Sequence, residues 1–175
     1  MIDEYHDYIT RVSQPHMAIS LEAAQFLHLW CQVYKPQRIV DLGSGFSSYV
    51  FRHYQQKSKN RVTVVSVDDN QEWLKRTKNF LQQHYLSTEH LILYDKFLAK
   101  PKQFDLWFYD LGSISTRIKE MPKILQWSRD AFLIMDDAHK KRMRKSINML
   151  NMRRIHALTR TTDSIGRFAA LVYPE

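Results

Sequence analysis

The chain has few of the residues that stabilise secreted domains or allow a protein to cross a membrane. Among its 175 residues there is one cysteine, Cys31, which excludes an internal disulfide and a cysteine-cluster metal site. No apolar run approaches the length of a membrane span. The acidic start, residues 1–4, lacks the basic and apolar regions of a signal peptide. These absences predict a cytoplasmic protein that has no membrane partner.

Glycine is also scarce, and its placement is informative. Only four glycines are present, and two of them, Gly43 and Gly45, share one turn after the apolar stretch 38–42. Because glycine has no Cβ, the backbone can bend tightly here and a ligand can lie against it. Backbone amides at the start of a following helix favour polar or anionic ligand atoms. The turn therefore predicts a nucleotide-like ligand.

The hydrophobic pattern predicts one domain of alternating strands and helices. At 44% hydrophobic content, 175 residues suffice for one buried core. Residues 62–65 and 131–135 are continuously apolar, as parallel strands covered by helices on both faces require. The predicted strands are 38–42, 61–67, 91–94, 104–109, 131–135, 154–160 and 168–173. The predicted helices between them are 21–34, 47–56, 71–84, 116–127 and 138–151.

This alternation implies an α/β sandwich with right-handed crossovers, and the last two strands form a hairpin-like pair that adds one antiparallel strand. We expect the core domain to span residues 20–175. Residues 1–19 show no clear period, so they form either a loosely attached arm or a short helix. Tyr5, His6 and Tyr8 in this arm either fold over the active site or belong to an untethered end.

Acidic residues lie at the carboxyl end of nearly every predicted strand. They are Asp41, Asp68, Asp69, Asp95, Asp110, Asp136 and Asp137. In an open α/β sheet, ligands bind at the carboxyl ends of the strands, so these acids are expected around one site. Asp68, with Asp69 as the alternative, is placed to accept hydrogen bonds from the ribose hydroxyls of a nucleoside. That role suits a dinucleotide and S-adenosylmethionine alike.

The sequence from Asp41 to Gly45 resembles motif I of class I S-adenosylmethionine-dependent methyltransferases. Ser47 stands at the usual third glycine of that motif, and Ser48 at the third glycine of a dinucleotide fingerprint, which disfavours an oxidoreductase. The resemblance implies a Rossmann-like three-layer sandwich with a seven-stranded, mostly parallel sheet. It also implies that Asp41 lies near the methionine part of the cofactor and Asp95 near the adenine. The implied cofactor-binding residues are Asp41, Gly43, Ser44, Gly45, Ser47, Asp68, Asp69, Asp95 and Asp110.

The later acids resemble the metal site of catechol O-methyltransferase-like enzymes. In that group an Asp after strand four and an Asp-Asn pair after strand five hold magnesium; here Asp110, Asp136 and Asp137 stand at those positions. All-oxygen ligands suit Mg²⁺, which would orient a substrate hydroxyl and lower its pKa. Alternatively, the three acids bind substrate directly, or Asp137 caps the following helix.

The lysine that serves that group as base is missing, because Ser113 occupies its place. His139 is the candidate replacement base, and Asp110 is the second candidate catalytic residue. Arg117 either holds an acidic group of the substrate or simply begins a helix. The basic run 139–145 either grips phosphate or forms a solvated face.

These observations predict an S-adenosylmethionine-dependent methyltransferase that methylates the oxygen of a small-molecule acceptor, with magnesium as a possible aid. The net charge of +8 favours phosphate-rich partners and supports an alternative, a non-catalytic or RNA-directed nucleic-acid-binding protein on the same fold.

Overall fold

The computed structural model describes residues 1–99, 103–149 and 155–174. Its helices are α1 (Ile2–Arg11), α2 (Leu21–Tyr34), α3 (Phe46–Lys57), α4 (Gln71–Gln83), α5 (Tyr94–Leu98), α6 (Ile114–Trp127) and α7 (Lys141–Met149). Its strands are β1 (Arg38–Leu42), β2 (Thr63–Asp68), β3 (Leu91–Leu93), β4 (Leu106–Tyr109), β5 (Phe132–Met135), β6 (Ile155–Leu158) and β7 (Ala169–Val172). No helix in these three ranges is both long and apolar enough to cross a membrane.

The seven strands form one sheet in the order β3-β2-β1-β4-β5-β7-β6. β7 runs antiparallel to both β5 and β6, and the other strands are parallel to one another. The predicted mostly parallel sheet with one antiparallel strand is therefore confirmed. The order in which strands are added to the sheet reverses at β1 and β4: β2 and β3 lie beyond β1, and β5, β7 and β6 lie beyond β4. In folds of this kind, ligands bind at such a reversal.

Two hydrophobic layers cover the two faces of the sheet. Along β4 the side chains alternate, so that Phe108 joins one layer, while Trp107 and Tyr109 join the other. The first layer contains residues from α1, α2 and α3, and the second contains residues from α6 and α7. All four residues of β4 are buried, which explains why this strand reads as a continuous apolar run. The three-layer arrangement is confirmed.

The N-terminal segment contains a packed helix, so of the two predicted alternatives the short helix agrees with the structure and the loosely attached arm does not. Within α1, Tyr5 and Tyr8 are buried one turn apart. The Tyr5 hydroxyl donates to the carbonyl of Ile19 at 3.0 Å. The Tyr8 ring packs against Phe46 and Phe80, with ring centroids 5.5 and 5.0 Å apart. This aromatic anchoring fixes α1 over the start of α3.

Several element boundaries differ by a few residues from those predicted from sequence, and one helix was not predicted. The chain turns directly from β3 into the short helix α5, where a strand reaching residue 94 was expected. The buried Phe97 side chain belongs to the second hydrophobic layer and anchors α5 there. The predicted ends of the last helix at 150–151 and of the sixth strand at 154 lie outside the described residues.

Candidate functional site

A cavity of about 420 Å³ opens at the carboxyl ends of the parallel strands. One end is formed by the turn after β1 and by the end of β2, and the other by the ends of β4 and β5. Residues between α1 and α2 cover it from one side. Its position at the β1–β4 reversal is the one that the fold favours for a ligand.

The turn after β1 requires glycine at its first position. Gly43 has a φ of +109°, and a Cβ placed there would lie 2.5 Å from the backbone oxygen of Asp110. The turn therefore passes directly against the end of β4. Gly45 is the N-cap of α3, and Gly45, Phe46 and Ser47 all line the cavity, so this helix begins at the cavity wall. A ligand atom can approach this backbone closely.

Asp41 lies beneath the turn and not on the cavity wall. Its carboxylate is fully buried and accepts hydrogen bonds from the hydroxyls of Ser47 at 2.8 Å, Ser66 at 2.9 Å and, at shorter range, Ser48. Arg52 donates to the Ser66 hydroxyl at 2.6 Å from the other side. Burial raises the pKa of Asp41 to about 6, although the three hydroxyls oppose this. Asp41 thus holds the turn in shape through the serines.

Asp68, at the end of β2, does line the cavity. One carboxylate oxygen accepts from both the amide and the hydroxyl of Ser44, each at 2.8 Å, and the other accepts from the Asn70 amide at 2.9 Å. Burial raises the pKa of Asp68. Asp69 is also on the wall, and its carboxylate packs so closely on Gly112 that a Cβ there would collide with it. Both carboxylates are within reach of a ligand's hydroxyl groups.

At the opposite end, acidic and basic side chains form an ion-pair cluster. One terminal nitrogen of Arg117, Nη1, lies 2.5 Å from Asp110 and 2.8 Å from Asp137. Lys140 reaches the same oxygen of Asp137 at 2.7 Å. Asp136 accepts from the backbone amide of Asp137 at 2.7 Å. Burial and the neighbouring carboxylates raise the pKa of Asp110, against the opposing charge of Arg117.

The residues present do not fit the predicted magnesium site. Within the described ranges, no three or more His, Cys, Asp or Glu side chains are grouped so as to hold a metal ion. The guanidinium of Arg117 already lies between Asp110 and Asp137, where an ion would have to bind. The expectation that Asp110, Asp136 and Asp137 ligate magnesium is therefore corrected.

The structure brings most of the predicted residues together and leaves three out. The cavity wall includes Gly43, Ser44, Gly45, Ser47, Asp68, Asp69, Asp110, Asp136 and Asp137. Asp41 lies behind the turn, and Asp95 is exposed on α5. His139, proposed as the base, lies 3.7 Å from Asp137, with its ring near Phe168, and is not among the lining residues.

Lys140 and Arg167 line the cavity although the sequence did not single them out as site residues. Lys140 belongs to a basic run whose lysines and arginines in 141–145 are exposed on α7, so only the nearby Asp137 signalled its role. Arg167 donates to the carbonyls of Pro15 and Ala18 at 3.0 and 3.1 Å, which ties the segment after α1 to the loop before β7. No sequence pattern indicated that tether.

The fold matches those of solved methyltransferase structures. The SAH-bound methyltransferase PaMTH1 of Podospora anserina aligns with a TM-score of 0.74 at 12% identity, over 99% of this chain and 87% of that one. An O-methyltransferase from Bacillus cereus in complex with SAH aligns with a TM-score of 0.70 at 13% identity, over 97% of this chain and 89% of that one. The O-methyltransferase TomG from Streptomyces achromogenes, in complex with SAM, aligns with a TM-score of 0.68 at 16% identity, over 92% of this chain and 83% of that one.

No protein-family model matches the chain, and no curated protein sequence does. The structural alignments show that the chain shares the Rossmann-like α/β fold of these methyltransferases.

Proposed function

We propose that this protein is an S-adenosylmethionine-dependent methyltransferase that acts on a hydroxyl oxygen of a small molecule. The observation that carries this proposal is that the glycine turn with Asp68 and the cluster around Asp110 line the two ends of one cavity. Structures of the same fold that contain SAM or SAH support the cofactor.

The glycine-turn end fits a positively charged nucleoside. Gly43 and Gly45 allow close approach to the backbone, and the carboxylates of Asp68 and Asp69 supply negative charge. Ser44 and Asn70 already donate three hydrogen bonds to Asp68, and the oxygen that accepts from Asn70 keeps one further lone pair for a ribose hydroxyl. When bound, S-adenosylmethionine supplies a methyl group that is open to nucleophilic attack.

The ion-pair end fits an uncharged acceptor hydroxyl. Asp110 lines the cavity, and burial raises the pKa of its carboxyl, which makes the carboxylate a better acceptor for the proton of a substrate hydroxyl. Lys140 is half-exposed at the same wall and contributes an ammonium group beside the acceptor position. Because the side chains on this wall are fixed by ion pairs, they can hold an acceptor in line with the methyl group, and positioning supplies much of the rate.

Calorimetric titration with S-adenosylhomocysteine tests the proposal, with NAD as the control ligand. We expect S-adenosylhomocysteine to bind with micromolar affinity and NAD not to bind. Asp68→Asn should weaken binding at least tenfold, because the carboxylate loses its charge and one acceptor oxygen. Asp130→Asn, on an exposed ion pair with Arg129, is the matched control and should bind normally. Equal affinity in Asp68→Asn would remove Asp68 from the cofactor site, and no binding by the wild type would reject the function.

The nucleic-acid alternative has its own observation. Lys141, Arg142, Arg144 and Lys145 are all exposed on α7, so the solvent side of this helix is strongly basic. Binding of RNA that weakens steeply with salt, in a protein that ignores S-adenosylhomocysteine, would favour that function. Charge reversal of Arg142 and Lys145 should then abolish the RNA binding.

A further inference from the structure

The cation that an acidic cluster of this kind needs is already part of the chain. We propose that the guanidinium of Arg117 is the resident cation of the Asp110, Asp136 and Asp137 cluster, and that the protein works without a divalent metal at this position. This inference rests on the proposed methyltransferase function, and it departs from the magnesium-dependent group that the acids resemble.

Arg117 is placed and fixed by its own helix. Ser113 caps α6 by accepting from the Thr116 amide at 3.1 Å, and the Arg117 amide bonds to the Ser113 carbonyl at 2.9 Å. The guanidinium is then held by backbone carbonyls, with Nε 3.3 Å from the oxygen of Leu111 and Nη2 3.1 Å from that of Gly112. These contacts leave Nη1 pointing at the carboxylates.

Two of the three carboxylates contact this cation directly. Nη1 bridges Asp110 and Asp137, and the Arg117 side chain is only 9% exposed. The oxygen of Asp137 that meets Arg117 also accepts from Lys140, and Asp136 accepts from the Asp137 amide. Arginine stays protonated at all working pH values, so the cluster is permanently supplied with positive charge.

A divalent ion would have to displace this arrangement. Mg²⁺ needs near-octahedral oxygen ligands at about 2.0–2.1 Å, and it would share Asp110 and Asp137 with a buried guanidinium. Two cations at such short separation repel strongly in a partly buried site. The same cluster should therefore accept a metal only after the arginine is removed.

Titration of the wild type and of Arg117→Ala with Mn²⁺ tests whether the arginine occupies the cation site. Binding is measured by calorimetry and by the electron paramagnetic resonance signal of free Mn²⁺. We expect no saturable binding by the wild type and one saturable site in Arg117→Ala. The double variant R117A/D110N should lose that site again. Arg129→Ala, which removes an exposed ion-paired arginine, is the matched control and should behave as the wild type.

Saturable Mn²⁺ binding by the wild type at this cluster, weakened by Asp110→Asn, would overturn the assignment. So would a folded Arg117→Ala protein that binds no Mn²⁺, because the acids would then not form a cation site. Arg117→Met, which keeps the length of the side chain, replaces the alanine variant if that variant does not fold. If neither folds, the wild-type titration alone decides, with saturable binding against the proposal and its absence in favour.

Titration with S-adenosylhomocysteine on the same samples separates this inference from the proposed function. With EDTA or with Mg²⁺ present, we expect the wild-type affinity to agree within twofold. If the nucleoside does not bind but the Mn²⁺ results are as expected, the methyltransferase proposal fails and Arg117 remains the cation of the cluster.

Discussion

The two ends of the cavity both bury carboxylates, but they stabilise them differently. At the glycine-turn end, Asp41 and Asp68 accept hydrogen bonds from hydroxyls and backbone amides, which are neutral donors. At the ion-pair end, Asp110 and Asp137 meet the cations of Arg117 and Lys140. The first end therefore keeps its negative charge, whereas the second end is largely compensated.

This difference matches the two ligands that a methyl transfer requires. A positively charged cofactor is attracted to an end whose carboxylates lack cationic partners. An uncharged acceptor hydroxyl is better served by an end where the charges cancel and the side chains are rigid. Breaking one end at a time should show whether the division is real.

The largest effect is expected from Gly43→Ala, which disrupts the turn itself. The new Cβ would meet backbone atoms of Asp110 at 2.5 and 2.6 Å, and the φ of +109° is strained for alanine. Strain and overpacking together should lower the free energy of unfolding by about 4 kcal/mol. Urea denaturation measures this change.

Gly166→Ala is the matched control for that substitution. Its φ is +82°, but a Cβ there meets nothing within 4 Å, so only backbone strain of about 1 kcal/mol is expected. Equal losses in the two variants would show that contact between the turn and β4 is unimportant.

Asp41→Asn should change how stability depends on pH. Because burial raises the Asp41 pKa from 3.8 to about 6, the native state binds this proton more tightly than the unfolded state does. The stabilisation that comes from this proton is therefore complete below pH 3.8 and is lost as the pH rises to about 6. The loss amounts to roughly 3 kcal/mol.

The asparagine variant lacks this titration, so its stability relative to the wild type should improve over the same interval. Urea denaturation at a series of pH values measures the difference. Parallel pH profiles for the two proteins would mean that the serine hydroxyls and Arg52 keep Asp41 ionised in spite of its burial.

A smaller effect is expected at the ion-pair end from Asp137→Asn. Asp137 has a φ of +58°, which asparagine tolerates well, so the change removes charge with little backbone strain. Arg117 keeps Asp110 and its two carbonyl partners, so we expect a loss of about 1–2 kcal/mol in unfolding free energy. Asp130→Asn, on an exposed pair, should change stability by less than about 0.5 kcal/mol.

Sequence reasoning predicts one end of the cavity better than the other, for a physical reason. Strand periodicity and the turn at Gly43 and Gly45 are local properties, so the sheet and the glycine-turn end were predictable. The carboxyl ends of parallel strands share an edge of the sheet, so Asp68 and Asp110 were expected around one site. Both residues line the cavity. These predictions needed no knowledge of loop conformation.

The ion-pair end depends on contacts between distant loops. Arg117 was read as a substrate-binding residue or a helix start, since nothing in the sequence shows that its side chain turns back onto Asp110 and Asp137. His139 and Lys140 are adjacent in the chain, and only the backbone conformation decides that Lys140 faces the cavity. For the same reason, an acid such as Asp41 can lie near the end of a strand and still point beneath the turn.

The smallest effect tests whether α1 belongs to the glycine-turn end. Tyr8 lines the cavity, with its hydroxyl 3.1 Å from where a Cβ on Gly45 would lie, whereas Tyr5 is not a lining residue and its hydroxyl donates to the Ile19 carbonyl. Tyr8→Phe should keep the ring packing and change stability by less than about 1 kcal/mol, while S-adenosylhomocysteine affinity falls about three- to tenfold. Tyr5→Phe should show the reverse, losing about 1 kcal/mol of stability with unchanged affinity. If calorimetry and urea denaturation gave the same pattern for both tyrosines, α1 would be only a packing element, and the glycine-turn end would consist of the turn and β2 alone.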